Sequence, residues 1–247
     1  MRKALRIAVA QPRCVLHAVA ANVEAHVELI RAARARVMVF PEMSLTGYEL
    51  DADVVAPQDT RLDPIVAACA EVGTIALVGA PTPGPSIGIL AVDHRGASVI
   101  YRKVYLHGSE SDRFRSGEPA ALEVDGWRLG LAICRDTGIA EHARRTAALD
   151  IDGYVACVVH SKEEAALHGE RARDVATEYG VWAATAAFAG STGGGFAQTS
   201  GHSGIWSATG ELLAEAGPDP GEFACHTFEP GNRANCTARD VGTSKID

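Results

Sequence analysis

The chain has 247 residues, with 23 Lys and Arg against 31 Asp and Glu, a formal net charge of −8. That length suffices for one large domain with a full core, and the acidic balance argues against a nucleic acid or an anionic membrane as partner. No run approaches the roughly 18 consecutive apolar residues of a membrane span, and the six scattered cysteines, with no C-x-x-C pair, read as reduced thiols of a cytoplasmic protein rather than a disulfide framework or a zinc site.

Leu5 to Ala10 is predicted as a first strand, not a signal peptide, because Gln11-Pro12-Arg13 interrupts a short apolar run. Leu16 to Arg34 carries apolar residues at helical spacing. Val37 to Phe40 is a fully apolar run, as expected of a strand covered on both faces, and Pro41-Glu42 ends it. Thr60 to Val72 is predicted helical with Gly73 as its C-terminal cap. Thr74 to Ala80, Ile87 to Val92 and Ala97 to Tyr101 follow as strands joined by turns at 81–85 and 93–96. Val104 to Pro119 has no clean periodicity and reads as a long functional loop. Leu122 to Val124 and Arg128 to Ile133 flank an Asp125-Gly126 turn, and Thr137 is expected to cap a helix running to about Ala148. Gly153 to Val159 is the next strand. Ser161-Lys162-Glu163-Glu164 matches a capping box before a helix ending at Gly180. Val181 to Phe188 is a strand, Ala189 to Gly201 is Gly/Ser-rich and expected to move, and His202 to Ala208 and Glu222 to Phe228 close the fold. Alternating units and hairpins in one chain predict a single α/β domain over 1–230 with mixed sheets, followed by a polar tail at 231–247.

Three chemically distinct groups stand just past strand ends: Glu42, Lys103 and Cys134. Strand ends are where α/β folds carry their sites. Together the three groups can hydrolyse an amide. A nearby ammonium favours the thiolate, which is the nucleophile. A carboxylate in reach can take the thiol proton, protonate a leaving amine and activate water. The lysine can stabilise a tetrahedral oxyanion. Taken singly, each has a plainer reading: a buried small hydrophobe, a turn residue, a solvated charge.

The segments Pro41-Glu42-Met43-Ser44-Leu45-Thr46-Gly47-Tyr48, Tyr101-Arg102-Lys103-Val104-Tyr105-Leu106 and Leu131-Ala132-Ile133-Cys134-Arg135-Asp136 resemble, in order and spacing, the three motifs of the nitrilase superfamily of carbon–nitrogen hydrolases. Ala10-Gln11-Pro12 and the stretch from His202 to Glu211 extend the resemblance from Ile7 to about Ala216. It implies a four-layer αββα sandwich, usually dimeric or larger, acting without cofactor or metal. By the resemblance Glu42 is the general base, Lys103 the oxyanion stabiliser and Cys134 the nucleophile, with the Arg135 N–H as second oxyanion donor. It also implies a fourth residue, a glutamate in the loop after the lysine; Glu110 matches best, with Asp112 as the alternative, to orient Lys103 and the substrate amide.

Members acting on ω-amides of dicarboxylic acids often carry Tyr-Asp after the cysteine and an arginine four places beyond it. Here Arg135 replaces the tyrosine and Gly138 stands at the arginine position, so residue 138 can offer no carboxylate clamp. The Arg135 side chain either supplies a cation or pairs with Asp136 to hold the loop. His160, after a strand, is a candidate substrate contact or, less simply, a base in place of Glu42. Tyr48 either lines the pocket or packs. Gly193-Gly194-Gly195 lacks the following lysine of a phosphate loop and reads as pocket rim. The expected activity is an amidase on a small linear amide, with an N-carbamoyl hydrolase, a nitrilase, a Cys–His hydrolase and a silent scaffold protein as rivals, and a homodimer or larger homo-oligomer as the assembly.

Overall fold

The computed structural model describes residues 2–231, so all but the first residue of the expected tail at 231–247 lies outside the described residues. Two six-stranded mixed sheets stack face to face with helices on their outer surfaces. The first sheet contains β1 (Leu5–Ala10), β2 (Val37–Val39), β3 (Ile75–Thr82), β4 (Ser86–Asp93) and β5 (Gly96–Arg102), and takes β14 (Phe223–Phe228) from the end of the described chain. Its order is β14-β1-β2-β3-β4-β5, parallel through β1-β2-β3 and antiparallel elsewhere. The second sheet contains β6 (Ala121–Val124), β7 (Trp127–Ile133), β8 (Gly153–Val158), β9 (Trp182–Ala187), β12 (Gly204–Trp206) and β13 (Leu212–Glu215). It repeats the plan, order β13-β12-β9-β8-β7-β6, with β7-β8-β9 parallel. A two-residue ladder, β10 (Ala189–Gly190) with β11 (Thr199–Ser200), closes the Gly/Ser-rich segment into a hairpin.

Strand alternation builds the layers. Leu5, Ile7 and Val9 of β1 and Val37 and Val39 of β2 point into the core between the sheets, where they join Leu129, Leu131 and Ile133 of β7. Ala8, Ala10 and Met38, one residue out of phase, face outward. There they pack under α1 (Val19–Ala33) and α2 (Asp63–Val72). On the other outer face α4 (Ala140–Ala147) lies over β7, where Gly130 leaves room: a Cβ there would meet Thr146 Cγ2 at 2.6 Å. Ala172 and Ala176 of α5 (Leu167–Tyr179) pack on Ala183 and Trp206. Among the described residues no helix is long and apolar enough to cross a membrane.

Several boundaries differ from the sequence expectation for local reasons. The first helix begins at Val19 rather than Leu16, because His17 adopts a left-handed φ of 60°. The Asn22 side chain then ties both polar groups of Val15 at 2.8 Å. Thr137 does not cap α4. It lies in a 3₁₀ turn over Cys134–Gly138, and its hydroxyl donates back to the Cys134 carbonyl at 2.6 Å. The box at Ser161–Glu164 closes a separate 3₁₀ turn ahead of α5, with the Ser161 N–H donating to Glu164 Oε2 at 3.2 Å. The long loop after β5 holds one short helix, α3 (Gly108–Ser111).

Candidate active site

Glu42, Lys103 and Cys134 follow β2, β5 and β7, and the packing of the sheets brings all three to one end of the sandwich. Each is held by its own local device. Beyond β2, the turn at 41–43 lies flat across β3 because Gly79 has no side chain. A Cβ at that position would meet the Met43 N at 2.4 Å and the Pro41 O at 2.5 Å. Leu45 N then donates to Gly79 O at 3.0 Å, and Gly79 N donates to Ser44 Oγ at 3.3 Å. Ser44 Oγ is in turn 2.9 Å from Nε2 of the buried His26.

The thiol is presented by a strained turn. Cys134 has φ 42°, a left-handed conformation that costs a non-glycine residue energy and persists only where the surroundings over-determine it. Those surroundings centre on Asp136, fully buried, whose carboxylate accepts from Tyr101 Oη at 2.7 Å, Tyr105 N at 2.8 Å and Ile133 N at 3.0 Å. Tyr101 Oη also lies 2.7 Å from His142 Nε2, whose other nitrogen is 3.0 Å from Tyr154 Oη. The turn carrying the cysteine is thus locked to β5, α4 and β8. Arg135 takes no part: its side chain is exposed, and the pairing with Asp136 considered from the sequence does not form.

Lys103 is completely buried between two carboxylates. Its Nζ donates to Glu42 Oε1 at 2.7 Å and Glu110 Oε1 at 2.6 Å. Glu110, on α3, also accepts from Tyr48 Oη at 2.6 Å and from His107 N at 2.8 Å. Of the two acids considered for the loop, Glu110 is at the site and Asp112 is exposed. The Cys134 Sγ donates to the Val159 carbonyl at 3.3 Å.

Burial sets the proton inventory. It pushes the Glu42 carboxyl up to about 7, with the Lys103 ammonium pulling back and the Glu110 charge adding to the rise. Burial and then the Glu42 carboxylate push the Cys134 thiol up to about 12, more than Lys103 restores. Burial opposes the charge on Lys103, but Glu42, the cysteine and Glu110 together hold its ammonium above the ordinary lysine value. For Glu110 burial again favours the neutral acid, and the Lys103 charge and the hydrogen bonds outweigh it, leaving an anion. The resting site is therefore a thiol beside a carboxylate that ionises near neutrality.

The thiol opens on a cavity of about 250 Å³ walled by Val159, Leu167 and Phe196, with Tyr48, Arg135 and His160 also on its lining. Of the residues singled out in the sequence, Tyr48, Cys134, Arg135 and His160 line this cavity, while Glu42, Lys103 and Glu110 form the buried ion-paired chain. Tyr48 does more than line: its hydroxyl fixes Glu110. His160 is buried, and burial with the fields of His168 and Arg171 lowers its pKa to about 3, so it is neutral. Gly193 and Gly194 pack on Tyr48 and Glu49, where a Cβ at Gly193 would meet the Tyr48 O at 2.5 Å, so the glycine run backs the pocket rim. Sequence reasoning missed Arg171, His107 and Glu164, which also line the cavity. Glu164 reads in sequence only as a capping-box residue and His107 and Arg171 lie outside the three motifs, so the folded chain alone brings them to the cavity beside Cys134.

The sequence matches the family model described as carbon-nitrogen hydrolase over residues 6–229. The chain belongs to this family of carbon–nitrogen hydrolases. A protein described as a hydrolase in the pqqF 5′ region of Pseudomonas protegens is 34% identical over 135 residues, 49% of this chain and 47% of that protein. The glutamine-dependent NAD(+) synthetase of Aquifex aeolicus is 30% identical over 128 residues, 47% of this chain and 23% of that enzyme. The matched segment spans less than half the length of these curated relatives. In fold, the NitN amidase of Nesterenkonia sp. AN1 superposes with a TM-score of 0.81 at 24% identity, covering 92% of this chain and 93% of the other. Saccharomyces cerevisiae Nit3 superposes at 0.80 and 20% identity, covering 92% and 91%.

Proposed function

We propose that the protein is a cofactor-independent amidase acting on a small linear amide through a cysteine thioester. The observation that carries this reading is the buried Glu42–Lys103–Glu110 chain, with contacts of 2.7 and 2.6 Å, beside a thiol that opens on a cavity of about 250 Å³. Glu42 takes the thiol proton as Sγ attacks the amide carbon. The tetrahedral oxyanion is stabilised by Lys103 Nζ and the Arg135 N–H. Glu42 returns the proton to the departing nitrogen and ammonia leaves. The remaining acyl group is a thioester on Cys134. Glu42 then deprotonates a water that attacks this thioester, the carboxylic acid departs, and the thiol is restored. Glu110 positions Lys103, and Tyr48 positions Glu110. A carboxylate that ionises near 7 suits a base that must pass the same proton both ways.

The Nesterenkonia amidase, in variant forms, shows covalent addition of acrylamide and of an acetamide group at its active-site cysteine, which supports cysteine chemistry here. Ammonia release from a panel of aliphatic amides, N-carbamoyl amino acids and nitriles, with Cys134→Ala as blank, tests the reading. Turnover of the amides supports it. Turnover confined to the carbamoyl compounds or nitriles replaces the substrate class, and no turnover with any of them leaves the scaffold role. A Cys–His hydrolase through His160 requires Glu42→Gln to keep most activity; the present reading requires near-complete loss. The proposal extends to a cytoplasmic homodimer, supported by the superfamily resemblance and by the free thiols of Cys14, Cys69, Cys134, Cys157 and Cys225.

A further inference from the structure

The cavity beside Cys134 carries more positive charge than the hydrolytic chemistry requires. Lys103 is offset by Glu42 and Glu110. Arg135 and Arg171 are not offset: among the described residues neither guanidinium makes a salt bridge, and the one polar contact of Arg171 is from Nη1 to Thr137 Oγ1 at 3.4 Å. Glu164 is the only acid on the lining, and one of its oxygens already accepts from the Ser161 N–H. The chain as a whole is at −8, so this is a local reversal of sign.

The position of Arg171 is built. Its guanidinium lies flat against Gly138, where a Cβ would meet Cζ and Nη2 at 2.8 Å. The glycine that removes a side chain from the nucleophile turn therefore makes room for a cation reaching over from α5. His160, also on the lining, is buried and stacks on His168 with ring centroids 5.9 Å apart, and neither of its ring nitrogens is hydrogen-bonded. Burying a polar ring without a partner is costly, and a neutral imidazole has one N–H to donate. His107, also on the lining, is held below its ordinary pKa by burial, then by Lys103, with Arg135 and Arg171 adding to the effect. Both imidazoles thus stay neutral and can meet a ligand as hydrogen-bond donors without adding to the charge of the two guanidiniums.

We infer that this subsite receives an anionic group, so that the substrate is an amide bearing an ionised carboxylate, gripped by Arg171 with Arg135 at the rim and His160 donating a hydrogen bond. The inference rests on the amidase reading and names its substrate class. A guanidinium binds a carboxylate through two parallel N–H bonds, stronger and more directional than a neutral contact. The small cavity and its apolar walls at Val159, Leu167 and Phe196 fit a short methylene chain between the two ends.

Two readouts test it. In the first, kcat/KM is measured for succinamate and for butyramide, which differ in carrying or lacking a terminal carboxylate. Wild type is expected to prefer succinamate by about tenfold or more, mainly in KM. Arg171→Gln is expected to abolish the preference, Arg171→Lys to keep part of it, and Gly138→Ala, which pushes the guanidinium aside, to weaken it. The second readout needs no turnover: the rates at which Cys134 Sγ displaces iodide from iodoacetate and from iodoacetamide. The iodoacetate to iodoacetamide ratio should exceed that of free N-acetylcysteine in wild type and fall about tenfold in Arg171→Gln. A purely structural role for Arg171 would slow both members of each pair together and leave both ratios unchanged, which overturns the inference, as does a wild type that shows no preference. If butyramide is hydrolysed without discrimination, the anionic subsite fails and the amidase stands. If neither amide is hydrolysed, the amidase reading fails and the alkylation ratio still decides the charge of the subsite.

Discussion

At the scale of single residues, proton positions decide the chemistry. The Glu42 carboxyl, raised to about 7 by burial, is the working base only when ionised. Activity should therefore rise with pH through about 7 and then level, because the thiol, pushed up to about 12, surrenders its proton only to Glu42. A pH profile of kcat/KM checks this. In Glu42→Gln the rise should vanish together with about a thousandfold or more of the rate. These residues were legible in the sequence because each ends an apolar run inside a motif. Arg171 was not legible. It sits on α5, 37 positions after Cys134 in the sequence, and only the empty space over Gly138 joins the two. The choice between Glu110 and Asp112 also needed the fold, since two carboxylates two positions apart look alike until one lies 2.6 Å from Lys103 and the other faces solvent.

At the scale of elements, the nucleophile turn depends on Asp136. Its carboxylate gathers four donors from β5, the segment after it, and the end of β7. Asp136→Asn trades acceptor capacity for N–H donors where the site has none to receive them, and should cost about 1–3 kcal/mol of stability, read by thermal denaturation. Alkylation of Cys134 should slow as the turn loosens, while Tyr101→Phe, which removes one donor, should do less of both. The strands were readable as short apolar runs because both faces of most are buried and their ends are marked by Gly, Pro and charge. The turns were harder. Thr137 looks like a helix cap in sequence, yet its hydroxyl is spent on the Cys134 carbonyl. Local chemistry decided between a 3₁₀ turn and a helix start, and sequence periodicity carries no trace of that competition. β13 also escaped notice, since Leu212–Glu215 is short and half exposed and gains its strand character from pairing with β12.

At the scale of the molecule, the two sheets are tied together at the end opposite the thiol. Phe228 of β14 stacks on Trp182 of β9, with ring centroids 4.5 Å apart, and Trp127 of β7 approaches the same ring at 6.3 Å. The indole of Trp182 in turn covers Gly153, where a Cβ would come within 2.2 Å. Phe228→Ala should cost about 3–5 kcal/mol by chemical denaturation and leave the Lys103 contacts intact, so the loss appears in stability before it appears in turnover. Assembly belongs to this scale as well: light scattering should give twice the 25.9 kDa chain mass or a higher multiple, and the chain mass itself would remove the dimer from the proposal. The doubled sheet plan was legible only through resemblance. Alternation predicted mixed sheets, but nothing in a run of apolar residues says which of two sheets a strand will join.

The most direct measurement of the central claim is ammonia release from a small amide by wild type, Glu42→Gln and Cys134→Ala in parallel, with folding of each variant checked by circular dichroism. The expected result is release by wild type alone, with both variants at the blank. Sustained release by folded Cys134→Ala, or a Glu42→Gln rate close to wild type, would contradict it.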